Sequence, residues 1–118
     1  MPTIKVFGVP PGTPELRKLV GNIRQAVTKV PGLEIPVGEV TVFFPCDRLE
    51  NGLGEELIAE VSGLFDKPER TSAVKKHLTV GVLNELAAFA ESIPQCRFVE
   101  CYITGLVNPA ECSSARLR

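Results

Sequence analysis

Residues 1–17 read MPTIKVFGVPPGTPELR and contain the junction of a strand with a helix. Polar and apolar side chains alternate over residues 3–9, a period of two that predicts a strand. The turn-forming residues 10–12 (PPG) end this strand, and Thr13 followed by Pro14 is typical of a helix start, with a hydroxyl N-cap before a proline. The predicted helix covers residues 14–29 and presents one apolar face, which consists of Leu16, Leu19, Val20, Ile23 and Val27.

The same order of elements recurs about 55 residues later in the chain. Residues 61–64 (VSGL) parallel residues 6–9 (VFGV), and a Pro-Glu pair that follows each of these segments opens both predicted helices. We therefore interpret the chain as one domain, residues 1–118, built from two pseudo-repeats at about 2–48 and 56–107.

Three further strands and a second helix complete the predicted pattern. The strands cover residues 39–44, 57–65 and 97–104, and the helix begins near residues 66–69 (DKPE), which resemble a capping box. Turn formers fill residues 46–55, which connect the halves as a loop or a small hairpin. The order is β-α-β, connector, β-α-β, an α/β (α+β) fold. The apolar face of the second helix consists of Val74, Leu78, Val82, Leu86, Phe89 and Ile93.

Charge and cysteine content narrow the class of protein. The 118 residues include 13 Lys+Arg and 14 Asp+Glu, a formal net charge of −1 that provides no basic stripe for nucleic acid or an anionic membrane. No apolar run approaches the ~20 residues of a transmembrane helix. The four cysteines lack a C-x-x-C spacing and only one histidine is present. We therefore expect a cytoplasmic protein with reduced thiols, no metal site, and no nucleic-acid or membrane partner.

A Met-Pro start that leads directly into a strand, followed by a repeated β-α-β unit, resembles the tautomerase superfamily, which includes 4-oxalocrotonate tautomerase and macrophage migration inhibitory factor. The resemblance covers nearly the whole chain in element order, and Pro2 is its sharpest match. It implies a four-stranded mixed sheet with two helices on one face, assembled as a homotrimer. It also implies a cofactor-independent tautomerase or isomerase that acts on a small 2-oxo or enol carboxylate.

The chemistry of Pro2 supports this activity on general grounds. Removal of Met1 leaves a secondary amine on a rigid ring at the start of a strand. A free α-amine has a pKa of ~7.7–8.0 in solution, and a dry pocket lowers that pKa by disfavouring the ammonium form. Pro2 is therefore the predicted catalytic acid/base, which takes a proton from a carbon next to a carbonyl and returns it to another carbon.

The resemblance also indicates which side chains would bind a substrate carboxylate. 4-Oxalocrotonate tautomerase has an arginine just after its first strand, where this chain departs from the pattern with residues 10–13 (PPGT). The corresponding turn of the second half carries Lys67 and Arg70, which resemble the arginine pair of the dehalogenase and decarboxylase subfamilies. Lys29 falls where the inhibitory factor has its carboxylate-binding lysine, and Arg97 and Tyr102 lie on the fourth strand, where the family places polar active-site residues. A period of two puts these last two on opposite faces, so one pocket holds both only where subunits meet.

Two other interpretations stay open. The same element order describes a ferredoxin-like domain that binds a ligand or a protein, in which the connector is a β2–β3 hairpin and Pro2 has no role. A tautomerase-fold trimer without activity also fits, because loss of the first arginine removes much of the substrate orientation. For Lys29 the structural alternative is a cation that complements a helix C-terminus, and for Arg70 a solvated residue in the first turn of a helix.

Overall fold

Two β-α-β units follow each other along the chain, and the computed structural model describes residues 2–46, 48–51 and 53–118. Short 3-10 turns precede β2 and follow β4. Every predicted strand and helix is present, although each strand is shorter than its alternating pattern. The bounds are β1 Thr3–Phe7, α1 Leu16–Thr28, β2 Thr41–Phe43, β3 Glu56–Ser62, α2 Ser72–Ala90 and β4 Phe98–Ile103.

The four strands form one mixed sheet in the order β2-β1-β3-β4. Within each unit the two strands run parallel, with Thr3 opposite Thr41 in the first and Val61 opposite Ile103 in the second. The units meet through β1 and β3, which run antiparallel with Thr3 opposite Ser62. This topology overturns the ferredoxin-like alternative, because β2 and β3 lie on opposite sides of β1 and form no hairpin with each other.

Both helices pack on one face of the sheet and against each other. The strands turn alternate residues toward them, such as Ile4 and Val6 of β1, which are fully buried. Burial of each such side chain stabilises the fold by about 1.5–3 kcal/mol, so this shared core is what holds the two units together. The helical side chains buried in it come from the predicted apolar faces: Leu19, Ile23, Val27, Leu78, Val82 and Leu86.

Both predicted helix starts are wrong by a few residues. The Thr13 hydroxyl donates to the Pro10 carbonyl oxygen at 2.6 Å instead of capping a helix, and α1 begins after Glu15. The second helix begins after Thr71, whose hydroxyl accepts the Val74 N–H at 3.3 Å. Residues 66–69 stay outside this helix because the chain there pairs with the segment that follows β4.

Gly8 allows the two units to approach where β1 ends and β3 begins. Its φ of 91° lies in the left-handed region, and a Cβ at this position would lie 2.1 Å from the Glu56 carbonyl oxygen. The Gly8 carbonyl accepts the Gly54 N–H at 2.9 Å, which fixes the end of the connector. The described part of the connector forms turns and no hairpin, and Asp47 and Gly52 lie outside the described residues.

Candidate functional site

Pro2 lies directly before β1 and is buried. Its carbonyl oxygen accepts a hydrogen bond from the Thr41 backbone N–H at 3.2 Å, which ties it to the start of β2. Since side chains alternate along a strand, Pro2 falls on the same face as the buried Ile4 and Val6, the face that the helices cover. An amine at this position would be held at the margin of the core rather than in bulk solvent.

Both helices contribute a loop to the end of the sheet where Pro2 lies. Because β1 and β2 run parallel, α1 returns the chain to the level at which β1 begins, so Lys29 lies at this end. Because β3 ends at this level, α2 begins here. The loop after α1 approaches the start of α2, since a Cβ on Gly32 would lie 3.2 Å from Val74 Cγ2 and 3.9 Å from the Glu69 carbonyl oxygen. The fold therefore brings Pro2, Lys29 and Arg70 to one end of the molecule.

The two cations predicted for the site, Lys29 and Arg70, differ in their surroundings. Arg70 is 9% exposed, so it is not a solvated helix residue. Its Nη1 donates to the Phe65 carbonyl oxygen at 2.7 Å, and within the described part of the chain its buried Nε has no hydrogen-bond partner. The guanidinium thus braces the loop before α2. Lys29 has an exposed side chain at the C-terminus of α1, where a cation complements the helix carbonyls.

Arg97 lies at the other end of the sheet. It directly precedes β4, and its N–H donates to the Glu55 carbonyl oxygen at 2.9 Å. The seven residues of β3 separate this end from Pro2 by roughly 20 Å at about 3.3 Å per residue. Within one chain Arg97 therefore does not meet Pro2, and the sequence alone could not reveal this because it depends on the antiparallel pairing of β1 with β3.

Tyr102 lies on the face of the sheet that carries no helix. The alternation predicted for β4 is confirmed, because Tyr102 and its neighbours Phe98 and Glu100 are exposed while the intervening residues pack toward α2. The Tyr102 hydroxyl donates to Glu60 Oε2 at 3.0 Å. This hydrogen bond, with partial burial and the negative charges of Glu60 and Glu100, raises the pKa of Tyr102 above its ordinary value. Tyr102 and Pro2 thus lie on opposite faces of one sheet.

A groove of about 440 Å³ separates the first turns of α2 from the end of β4. Its lining includes Lys75 and Lys76, the hydroxyls of Ser72 and Thr79, and the segment 103–106. Among the residues that the structure describes, no carboxylate lines this groove. Two ammonium groups without a compensating carboxylate attract small anions. Sequence reasoning missed these lysines, because nothing marks a Lys-Lys pair on a helix as the wall of a groove until the chain that faces it is known.

The described residues hold no cluster of three or more His, Cys, Asp or Glu side chains placed to bind a metal ion. Cys46 and Cys112 are exposed, whereas Cys96 and Cys101 are half-buried, and all four are free thiols. Burial raises the pKa of Cys101 to about 12, which makes it a poor nucleophile at neutral pH. Among the described helices, none combines the length and the apolar character needed to cross a bilayer.

Solved structures of similar architecture identify the fold. The F6 fused 4-OT, a wild-type asymmetric trimer, superposes with a TM-score of 0.69 at 18% identity over 95% of this chain and 91% of that chain. N1, a member of the cis-3-chloroacrylic acid dehalogenase family, gives 0.66 at 16% identity over 95% and 79% of the two chains. FG41 malonate semialdehyde decarboxylase, solved with 3-bromopropiolate as inhibitor, gives 0.62 at 16% identity over 97% and 89%.

These proteins define the class of fold to which the chain corresponds, a four-stranded mixed sheet with two helices on one face. The chain has the tautomerase fold, and the resemblance that Pro2 and the repeated unit predicted is confirmed at the level of fold. Searches against protein-family models and against curated proteins give no significant match.

Proposed function

We propose that this chain is a cofactor-independent tautomerase or isomerase in which Pro2, freed by removal of Met1, is the catalytic acid/base. The observation that carries the proposal is the placement of Pro2, buried at the start of the first strand of a tautomerase fold. Burial disfavours an ammonium ion there, so the amine is available as a base near neutral pH. The substrate is a small 2-oxo or enol carboxylate, and the enzyme acts in the cytoplasm.

The proposed reaction moves one proton and changes no oxidation state. The Pro2 nitrogen takes the proton from the carbon next to the 2-oxo group, and the electron pair of that C–H bond passes to the carbonyl oxygen as an enolate. The resulting ammonium then returns the proton to another carbon of the conjugated system. Lys29 and Arg70, the cations of the same chain that were predicted for the site, would bind the carboxylate and the enolate oxygen.

A homotrimer completes the proposed site. The helix-free face leaves Phe43 53% exposed, Phe98 54% exposed and Tyr102 40% exposed, and large exposed apolar side chains on a sheet face mark a surface that another layer covers. Association of three subunits is the assembly that would bring Arg97 or Tyr102 of one subunit to Pro2 of another. A monomer in light scattering at micromolar concentration would remove both residues from the proposed site.

An inactive trimer of the same fold is the second candidate. The Arg70 guanidinium already donates to the Phe65 carbonyl and is nearly buried, and residues 10–13 supply no arginine after β1. Such a protein would bind partners through its surface and would not use Pro2 as a base.

Intact mass and chemical labelling separate these two candidates without knowledge of the substrate. The first measurement establishes whether Met1 is absent. The second uses 2-oxo-3-pentynoate, a 2-oxo acid whose electrophilic alkyne adds a secondary amine with transfer of the amine proton to the neighbouring carbon. We expect one molecule of reagent on Pro2 and tautomerase activity on phenylenolpyruvate or 2-hydroxymuconate, both abolished in Pro2→Ala. Retained Met1, or activity that persists in Pro2→Ala, would refute the enzyme and leave the inactive trimer.

A further inference from the structure

We infer that Arg24 of α1 is a positioning residue for Pro2, which it holds through the peptide group that joins Val40 to Thr41. The inference rests on the proposed function of Pro2. Arg24 belongs to none of the motifs in the sequence, and only its hydrogen bond to Val40 connects it to Pro2.

Three groups form a continuous path from α1 to Pro2. The Arg24 Nε donates to the Val40 carbonyl oxygen at 2.8 Å. The Thr41 N–H, on the other side of the same peptide group, donates to the Pro2 carbonyl oxygen at 3.2 Å. The Pro2 carbonyl carbon is bonded to the Cα of the ring that carries the proposed catalytic nitrogen. One rigid peptide plane therefore lies between the guanidinium and Pro2.

The location of the Val40 carbonyl makes Arg24 important to this path. Val40 is fully buried between the 3-10 turn Val37–Glu39 and β2, and a buried carbonyl needs a donor. Arg24, which is itself partly buried, supplies a charged donor, and hydrogen bonds to charged groups are the stronger kind.

Few other contacts could replace this support. β2 has only three residues and lies at the edge of the sheet, paired on one side with β1. Its first residue is Thr41, so the hydrogen bond to Pro2 lies at the very start of a short strand. A cation on the carbonyl side of the peptide also polarises the group and strengthens its N–H as a donor. Arg24 thus both anchors the start of β2 and strengthens the bond that orients Pro2.

The test compares Arg24→Gln with Arg17→Gln, which removes the same charge from an exposed position on the same helix. We expect Arg24→Gln to raise the hydrogen-exchange rate of the Thr41 amide about ten-fold and to slow the labelling of Pro2 by 2-oxo-3-pentynoate by a similar factor. Arg17→Gln should change neither rate. Arg24→Lys keeps a charged donor, so its Thr41 exchange rate and its Pro2 labelling rate should both lie between those of the native protein and Arg24→Gln. If Arg24→Gln fails to fold, the comparison of Arg24→Lys with the native protein tests the role of Arg24.

The outcomes distinguish this inference from the proposed function. Unchanged Thr41 exchange in Arg24→Gln overturns the role of Arg24 whatever the activity of the native protein. Where the native protein is labelled at Pro2, an unchanged labelling rate in Arg24→Gln also overturns it. Native protein that retains Met1 overturns the proposed function, and the Thr41 amide still reports whether Arg24 holds the peptide next to Pro2. If Arg24→Lys and Arg24→Gln lose labelling and stability to the same extent, the loss reflects general destabilisation and also counts against a positioning role.

Discussion

Replacement of Gly8 by alanine tests the close approach of the two units, and Gly12→Ala provides a matched control. Both glycines have a positive φ, 91° and 77°, so each alanine incurs the left-handed strain of about 1–2 kcal/mol. The Gly12 Cβ would meet nothing within 4 Å, whereas the Gly8 Cβ would lie 2.1 Å from the Glu56 carbonyl oxygen and 3.3 Å from its carbon. The difference between the two variants therefore isolates the clash.

The clash is with backbone, so a side-chain rotation cannot relieve it. Either β1 or β3 must move by about an ångström, a cost on the scale of about 1–3 kcal/mol for overpacking. The same movement weakens the Gly54–Gly8 hydrogen bond, worth about 1 kcal/mol. We expect Gly12→Ala to lower the free energy of unfolding by about 1 kcal/mol and Gly8→Ala to lower it by about 3 kcal/mol or more.

Urea denaturation followed by far-UV circular dichroism measures both values. The protomer concentration must be the same for all three proteins, because association adds to the apparent stability. Equal losses in Gly8→Ala and Gly12→Ala would refute the contact between Gly8 and Glu56 as the determinant of this junction.

Three further predictions concern ionisation and anion binding. Tyr102 is the only tyrosine and the chain has no tryptophan, so the absorbance of its phenolate can be titrated directly. Glu60→Gln should lower the pH at the midpoint of this titration, and an unchanged midpoint would contradict the hydrogen bond between Tyr102 and Glu60. Because the pKa of Tyr102 is raised on folding, its contribution to stability is present below about pH 10 and is lost as the pH rises through the raised value. Cys101, with a pKa raised to about 12, should resist a thiol reagent at pH 8 in the folded protein, whereas Cys112 should react at once; mass spectrometry of the labelled peptides decides this. Lys75→Gln should weaken inorganic phosphate binding in titration calorimetry by about three- to ten-fold, and equal affinities would show that the groove beside α2 is not an anion site.

Local patterns in the sequence predicted the elements well, because each pattern depends on residues close together in the chain. Leu78, Val82 and Leu86 recur at helical spacing and form the buried face of α2. The predicted start of α2 was wrong. Residues 66–69 contain the residue types that begin a helix, but Asp66 pairs with Val107, some 40 residues away, and a local pattern cannot reveal such a pairing.

The site was harder to predict than the elements, because it depends on register and on tertiary hydrogen bonds. Arg97 resembled a site residue by its strand, yet the antiparallel junction puts it at the far end of the sheet from Pro2. Arg70 is a predicted site residue whose structural alternative is a solvated side chain, and only the loop geometry reveals that its guanidinium is buried against the Phe65 carbonyl. Arg24 had no sequence signal at all, because its partner is a backbone carbonyl sixteen residues away.

The antiparallel pairing of β1 with β3 also gives the two ends of the sheet different chemistry. It places the beginnings of the two equivalent strands at opposite ends of the sheet. Under the proposed function the nitrogen of Pro2, just before β1, is a terminal amine, whereas the nitrogen at the start of β3 is part of a peptide bond. Because the connector joins the first unit to β3 by peptide bonds, β3 cannot begin with a terminal amine, although the two halves share one order of elements. Under the proposed function, residues at the β3 end therefore take no part in the amine chemistry of Pro2.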